Sequence, residues 1–334
     1  MKLVSILIPT YNQPEFFRQA LQSALNQDYP NIEIIVSDDS TDDRVEKVCS
    51  EFLSKPQRFP IQYLKHQSTR AKLFLGSENL IYLLNQAHGD YVNFLLHDDL
   101  FMPNKISKMV TCFETLKDKV AFVWSSRYIV DENANVLGNL GMEIDQNRDF
   151  KIFSCDEVGH LILLSGINFI GEFTTVLMRR DFLYNLERNR YEVGRYFDQF
   201  YPFHLDLPTF LELCRMKDLF CVCFSKPLSA FRKHSEQNSS DASVMLNIFL
   251  EYMAMIANSY VNDVFVHDVD SLQNACESWL NQINLQLKKI CDSVYDSTRF
   301  SEMDLLINCI ESLNNKDYDR FLKLITSRKR VIVP

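Results

Sequence analysis

A chain of 334 residues with a formal net charge of −9 is poorly suited to nucleic acid, whose binding is dominated by basic contacts to phosphate. It holds only 8 glycines, far below the roughly 7% of an average protein. At positions 76, 89, 138, 141, 159, 166, 171 and 194 they assemble neither G-x-G-x-x-G nor G-x-x-x-x-G-K-S/T, which argues against nicotinamide dehydrogenases and P-loop kinases.

In chain order, Val4 to Ile8 is a short apolar run closed by Pro9 and reads as a buried strand. Phe16, Phe17, Ala20, Leu21, Ala24 and Leu25 then recur at helical spacing. Asn12 is the expected cap, and Pro14 stands at the start, where its missing N–H does no harm. Ile32 to Val36 is a second strand, ending in Ser37, Asp38, Asp39 and Ser40, and it completes a β-α-β unit. A helix from Asp43 to Leu53, a strand at Ile61 to Leu64, a helix from Ser77 to Ala87 and the apolar run Tyr91 to Leu96 follow. This alternation predicts an α/β fold with a parallel sheet covered on both faces, and ligands at the carboxyl ends of its strands. Asp39 and Asp99 both lie at such ends.

The pair Asp98 and Asp99 directly follows the last of these runs. Two hard oxygen donors fixed beside solvent suit Mg²⁺ or Mn²⁺, which keep positions open for phosphate oxygens. A nucleotide-binding sheet without a glycine loop must neutralise a pyrophosphate in some other way, and a divalent ion on Asp99 does so.

Beyond Asp241 the pattern changes. Residues 242 to 327 hold no glycine and no proline, and Met245, Ile248, Phe249, Tyr252, Met253 and Ile256, then Leu272, Cys276, Trp279, Leu280, Ile283, Leu285 and Leu287, mark three or four helices. The expected division is an α/β sheet domain over 1–240, which carries the acidic pair, and a helical extension over 241–334. Homodimer contact, acceptor binding and peripheral membrane contact are all open roles for the extension. Nine cysteines, odd in number and without C-x-x-C, indicate neither a disulfide framework nor a zinc site. With no leader-like or long apolar segment recognised, the expected location is the cytoplasm, or the inner face of a membrane. Arg328 to Arg330 is the one basic run, too short to anchor a chain on its own.

The runs VSILIPTYNQ (4–13), IEIIVSDDSTDD (32–43) and GDYVNFLLHDDLFMPNKI (89–106) resemble the successive nucleotide-sugar motifs of bacterial family 2 glycosyltransferases with the GT-A fold. The likeness extends more loosely through NFIGEFTTVLMRRDFL (168–183) and the stretch from His204 to Ser239, so it covers about the first 240 residues. Two departures stand out: the usual D-D-G-S-x-D lacks its glycine, and the acidic motif reads His97-Asp98-Asp99 rather than Asp-x-Asp.

The resemblance implies a Rossmann-like GT-A sheet and a hexosyl- or N-acetylhexosaminyl-transferase that inverts the sugar of a UDP-sugar. The acceptor is a hydroxyl on a glycan, polysaccharide, lipid-linked or protein-linked sugar. It implies that Pro9, Thr10 and Tyr11 line the base pocket, and that Asp39 accepts from the uracil N3–H, as an acceptor-only carboxylate can. Asp98 would touch the ribose or donor sugar, Asp99 the Mn²⁺ or Mg²⁺, and His234 the metal or diphosphate. Arg70 or Lys72 would reach a phosphate. Asp206 is the implied general base, Asp198 the alternate, and Glu172 faces the acceptor; an Asp before an apolar helical run is equally an N-cap. Two other classes remain open, a silent partner that keeps the fold in a glycosylation complex and a sugar nucleotidyltransferase.

Overall fold

The computed structural model describes residues 1–66, 76–142, 148–235, 237, 242–294 and 300–327. The chain opens as its periodicities predict, with β1 (Val4–Thr10), α1 (Pro14–Leu25), β2 (Ile32–Asp38), α2 (Arg44–Leu53), β3 (Ile61–Lys65), α3 (Ser77–Gln86) and β4 (Tyr91–Phe94). Next come β5 (Leu100–Phe101), α4 (Lys105–Leu116), β6 (Val120–Val130), β7 (Val136–Leu140), β8 (Phe150–Ser154) and α5 (Cys155–Ser165). Short strands follow: β9 (Val176–Arg179), then the hairpins β10 (Tyr184–Asn185) with β11 (Arg190–Tyr191) and β12 (Arg195–Tyr196) with β13 (Gln199–Phe200). After α6 (Asp206–Cys214) and β14 (Phe220–Arg232) come the helices α7 (Ala242–Val261), α8 (Val269–Val294), α9 (Phe300–Asn314) and α10 (Tyr318–Thr326).

These elements form two compact units that interleave along the chain. The first comprises Met1–Cys155, Phe169–Val193 and Met216–His234. Its sheet runs β3-β2-β1-β4-β9-β6-β14-β5, with β7 beside β6 and β8 beside β14. Every residue of β1 is buried, as expected of a strand covered on both faces, and parallel pairing to β2 runs in register from Val4 opposite Ile32 to Thr10 opposite Asp38. Phe17, Ala20, Leu21 and Ala24 of α1 share one core with Ile6, Ile8, Ile34 and Val36.

The sheet is mixed, because β9 enters antiparallel to both β4 and β6. Parallel pairing resumes between β6 and β14, where the register shifts between Phe224 and Ser229. Pro227 lies inside that irregularity, which fits a residue that cannot donate to a ladder. Past it, β14 pairs with β5 through Ser229 and Ala230 and carries Arg232 toward the acidic pair.

The second unit comprises Asp156–Asn168, Gly194–Arg215 and Ser235–Pro334. Helix α7 ties its pieces together: Glu251 accepts from the Phe203 N–H at 3.2 Å, Ser259 Oγ meets Tyr196 OH at 2.6 Å, and Asn258 donates to Tyr201 OH at 2.7 Å. Gly159 admits the Phe265 ring, which a Cβ would approach to 2.5 Å. Among the described residues one 18-residue stretch, Val244–Val261, is long and apolar enough to cross a membrane, which corrects the reading that no long apolar segment exists. It is 67% buried, as the core helix of a folded unit is. The expected boundary at 240/241 and the basic run from Arg328 to Arg330 fall outside the described residues.

Candidate active site

At the carboxyl ends of β1 and β2 the chain folds into one tight knot. The Asp39 N–H donates to Thr10 O at 3.0 Å and joins the two strand tips. Asp38 is wholly buried, a position that costs a charge dearly unless donors surround it. Tyr63 OH at 2.7 Å and Lys65 Nζ at 2.9 Å donate to its Oδ2, and the Ser40 N–H donates to Oδ1 at 2.8 Å. Burial, and then Asp38 itself, hold the Tyr63 hydroxyl far above its ordinary range.

Asn12 is not the helix cap that the sequence suggests. Gln13 flanks α1, while Asn12 adopts φ +55° and accepts from the Thr41 N–H at 2.9 Å through its side chain. Its own N–H donates to Ser40 Oγ at 2.8 Å, so the loop that lacks the family's glycine is closed by side chains. Pro9 and Thr10 are buried beneath this knot, and Tyr11 is 39% exposed at its rim. Asp39 does not cap α2, whose flanking residue is Asp43; its Oδ1 lies 3.4 Å from Nδ1 of His66.

The acidic pair differs sharply between its two members. Asp98 Oδ2 is 3.1 Å from Nε2 of His234, whose ring tilts against Phe16 with centroids 5.1 Å apart. Burial opposes its charge, yet the His234 hydrogen bond and the nearby His97 hold Asp98 below the ordinary carboxylate range. Asp99 is 1% exposed and accepts twice, from Thr174 Oγ1 at 2.6 Å and from the Arg232 N–H at 3.1 Å. Burial first, then the charges of Asp98 and Glu172, push its carboxyl well above the usual range.

Arg232, fully buried, pins this arrangement. Its guanidinium donates to Asp98 O at 2.7 Å, Glu132 O at 2.8 Å and Gln19 Oε1 at 2.8 Å, and lies 4.7 Å over the Phe16 ring.

Octahedral Mg²⁺ or Mn²⁺ with bonds of about 2.1 Å sets adjacent ligands about 3.0 Å apart. Asp98 Oδ2 and His234 Nε2, hydrogen-bonded at 3.1 Å, would offer an ion one carboxylate oxygen and, once the shared proton has left, one imidazole nitrogen. Asp99 gives one lone pair of each oxygen to a protein donor, and burial raises its carboxyl, so it is the more deeply held member of the pair.

Glu172 and its neighbours brace the same end of the sheet. Its carboxylate lies 3.1 Å from Arg127 Nε, and both side chains are largely buried. The expectation that Glu172 simply faces an acceptor omitted this partner. Gly171, at φ +101°, is required here because a Cβ would come within 2.5 Å of the Arg127 guanidinium. Lys105, fully buried at the start of α4, donates from Nζ to Thr175 O at 3.0 Å and so fixes the turn that carries Glu172 and Thr174.

Asp206 belongs to the second unit. It is the first residue of α6 rather than its cap, a place taken by Leu205. Asn168 Nδ2 donates to its Oδ2 at 2.9 Å, the Leu207 N–H donates to Oδ1 at 2.8 Å, and His204 Nε2 stands 3.7 Å away. Burial pushes the His204 imidazole below its ordinary value, against the pull of Asp206. Asp198 instead turns the β12–β13 hairpin, exposed and at φ +58°. Arg70 and Lys72 lie outside the described residues. Sequence reasoning missed His66, Arg127, Asn168, Thr174 and Arg232; only the position of His66, next to the end of the third parallel strand, carried a signal.

The family model described as glycosyl transferase family 2 matches residues 5–184. An uncharacterized glycosyltransferase of Rickettsia typhi is 34% identical over 135 residues, 40% of this chain and 39% of its own. The Escherichia coli UDP-Glc:alpha-D-GlcNAc-diphosphoundecaprenol beta-1,3-glucosyltransferase WfaP is 36% identical over 129 residues, 39% of this chain and 47% of its own. The chain thus spans less than half the length of these relatives. Among solved structures, residues 1–349 of S. aureus TarS in complex with UDP superpose with a TM-score of 0.57 at 16% identity, covering 99% of this chain and 94% of that one. The fold is the same.

Proposed function

Because the chain belongs to glycosyl transferase family 2, we propose that it transfers a sugar from a UDP-sugar to an acceptor hydroxyl with inversion at the anomeric carbon. The observation that carries this reading is the 3.1 Å approach of Asp98 and His234 at the same strand ends that hold Tyr11 and Asp39. Tyr11 packs on the uracil, and Asp39 accepts from its N3–H. Cytosine offers an acceptor there and is rejected. Asp98 and His234 would hold Mn²⁺ or Mg²⁺, which would supply Lewis-acid neutralisation of the departing diphosphate. Asp99 supports them from below through Thr174 and Arg232, rather than meeting the ion first.

Asp206 takes the proton of the acceptor hydroxyl, with Asn168 and the Leu207 N–H fixing its carboxylate. A direct displacement assisted by a base inverts the sugar. WfaP takes a UDP-sugar donor and a lipid-diphosphate acceptor, and TarS binds UDP-GlcNAc. UDP-glucose and UDP-GlcNAc are therefore the first donors to try.

The test is release of UDP from a panel of sugar nucleotides, with lipid-diphosphate and glycan acceptors, in Mn²⁺ and in EDTA. Turnover with a UDP-sugar alone among the donors, lost in EDTA and giving inverted product by NMR, is expected. Turnover with a GDP- or CDP-sugar instead would refute the base assignment.

A further inference from the structure

Two adjacent carboxylates stand at the tip of β2, and they are held in different ways. Asp38 is satisfied by Tyr63, Lys65 and Ser40. Asp39 meets an imidazole. His66, the residue after β3, donates its backbone N–H to Asp38 O at 2.9 Å, so its Cα is fixed by the same strand pairing. Its ring lies on Tyr82 of α3, with centroids 4.4 Å apart and planes 20° apart. That stacking fixes the plane of the ring, and in this plane Nδ1 sits 3.4 Å from Asp39 Oδ1. Nδ1 is buried without a hydrogen bond among the described residues, and the Asp39 side chain is only 4% exposed. A buried ring nitrogen without a hydrogen bond is costly, and Asp39 Oδ1, 3.4 Å away, stands within reach of an Nδ1–H.

We propose that His66 is a positioning residue for nucleobase selection, its Nδ1–H setting the rotation of the Asp39 carboxylate and hence the direction in which Asp39 accepts from the base. The inference rests on the reading of Asp39 as the uracil acceptor. A carboxylate held in one rotation favours the N3–H of uracil and opposes the bare N3 of cytosine. Without the Nδ1–H the rotation of the carboxylate is less sharply set, so discrimination falls together with affinity.

Calorimetric titration of the full chain with UDP and with CDP tests this in His66→Phe, His66→Asn, Asp39→Asn and the double variant His66→Phe/Asp39→Asn. Phenylalanine keeps the stack on Tyr82 and removes the donor; asparagine restores a donor without the ring. His66→Phe is expected to weaken UDP by about 3- to 10-fold, the scale of one net hydrogen bond, and CDP by less. The thermal midpoint should not move, His66→Asn should recover part of the loss, and His66→Phe should add nothing once Asp39 is asparagine. Losses that multiply in the double variant, or that are equal for UDP and CDP, would reduce His66 to a stacking residue and overturn the inference. Unchanged UDP affinity in Asp39→Asn would instead remove the uracil reading itself, and this inference with it.

Discussion

A carboxylate that already accepts from a hydroxyl and a backbone N–H has a different task from one that meets an imidazole. Removing Asp99 strands Thr174 Oγ1 and the Arg232 N–H in a buried place, at about 1 to 3 kcal/mol for each unsatisfied group. Asp99→Ala should therefore lower the thermal midpoint clearly, which scanning calorimetry reads directly. Asp98→Ala strands the His234 imidazole alone, so it should lower the midpoint less than Asp99→Ala does and abolish the difference in UDP affinity between Mn²⁺ and EDTA. The opposite pattern, with metal dependence lost at unchanged stability in Asp99→Ala alone, would return the ion to Asp99. Asp206 separates chemistry from binding in the same manner. Asp206→Asn preserves shape beside Asn168, so stability and UDP-sugar affinity should hold while turnover falls by about 10² to 10⁴-fold, the usual worth of a general base. Full turnover in the folded variant would sink that role.

Helix α4 begins with a lysine inside the protein, and this has a consequence for stability against pH. Burial holds the Lys105 ammonium well below its ordinary value, against the attraction of Glu172. Between the lowered folded value and the ordinary 10.5, the unfolded chain binds a proton that the folded chain does not, so stability rises with pH across that window. The slope from one such group is at most about 1.4 kcal/mol per pH unit. Lys105→Met keeps the stem volume and removes the titration, so urea denaturation at a series of pH values from neutral upward should show a flatter profile in the variant. Equal slopes would place the Lys105 ammonium in its ordinary range. The same helix shows what a sequence can and cannot disclose. Alternation and helical spacing define β1 to β4 and α1 to α3 because those patterns are local, and Asp39 and the acidic pair stand out as polar breaks at the ends of apolar runs. The antiparallel entry of β9, the partners of Asp99, and the burial of Lys105 and Arg232 arise from contacts between residues as far apart as 99 and 232. No spacing encodes them. Asn12 misled for a related reason: its side chain serves a neighbouring loop instead of the helix it precedes.

At the scale of the molecule, the helices after residue 241 complete a unit whose other pieces lie far upstream. Asp206 sits in the segment Gly194–Arg215, and that segment is grouped with α7 to α10 rather than with the sheet. Its ties to α7 are specific: Tyr196 OH to Ser259, the Phe203 N–H to Glu251, and Tyr201 and Gln199 to Asn258. A chain ended at residue 240 loses every one of these partners. The stranded Tyr196 hydroxyl and Phe203 N–H alone cost about 1 to 3 kcal/mol each, against a total stability of about 5 to 15 kcal/mol for a domain. The fully buried Tyr196 and Tyr201, which meet α7, are left in search of cover. The first unit keeps its own ten-stranded sheet with Tyr11, Asp39, Asp98 and His234. A protein of residues 1–240 should accordingly bind UDP as the full chain does, lose turnover as completely as Asp206→Asn, and aggregate on standing. Hydrogen exchange should show protected β1, β2 and β4 beside an unprotected stretch from 194 to 215. A truncated protein that stays soluble, protects that stretch and turns over UDP-sugar at the full rate would mean that the helices neither build nor position the segment that carries Asp206.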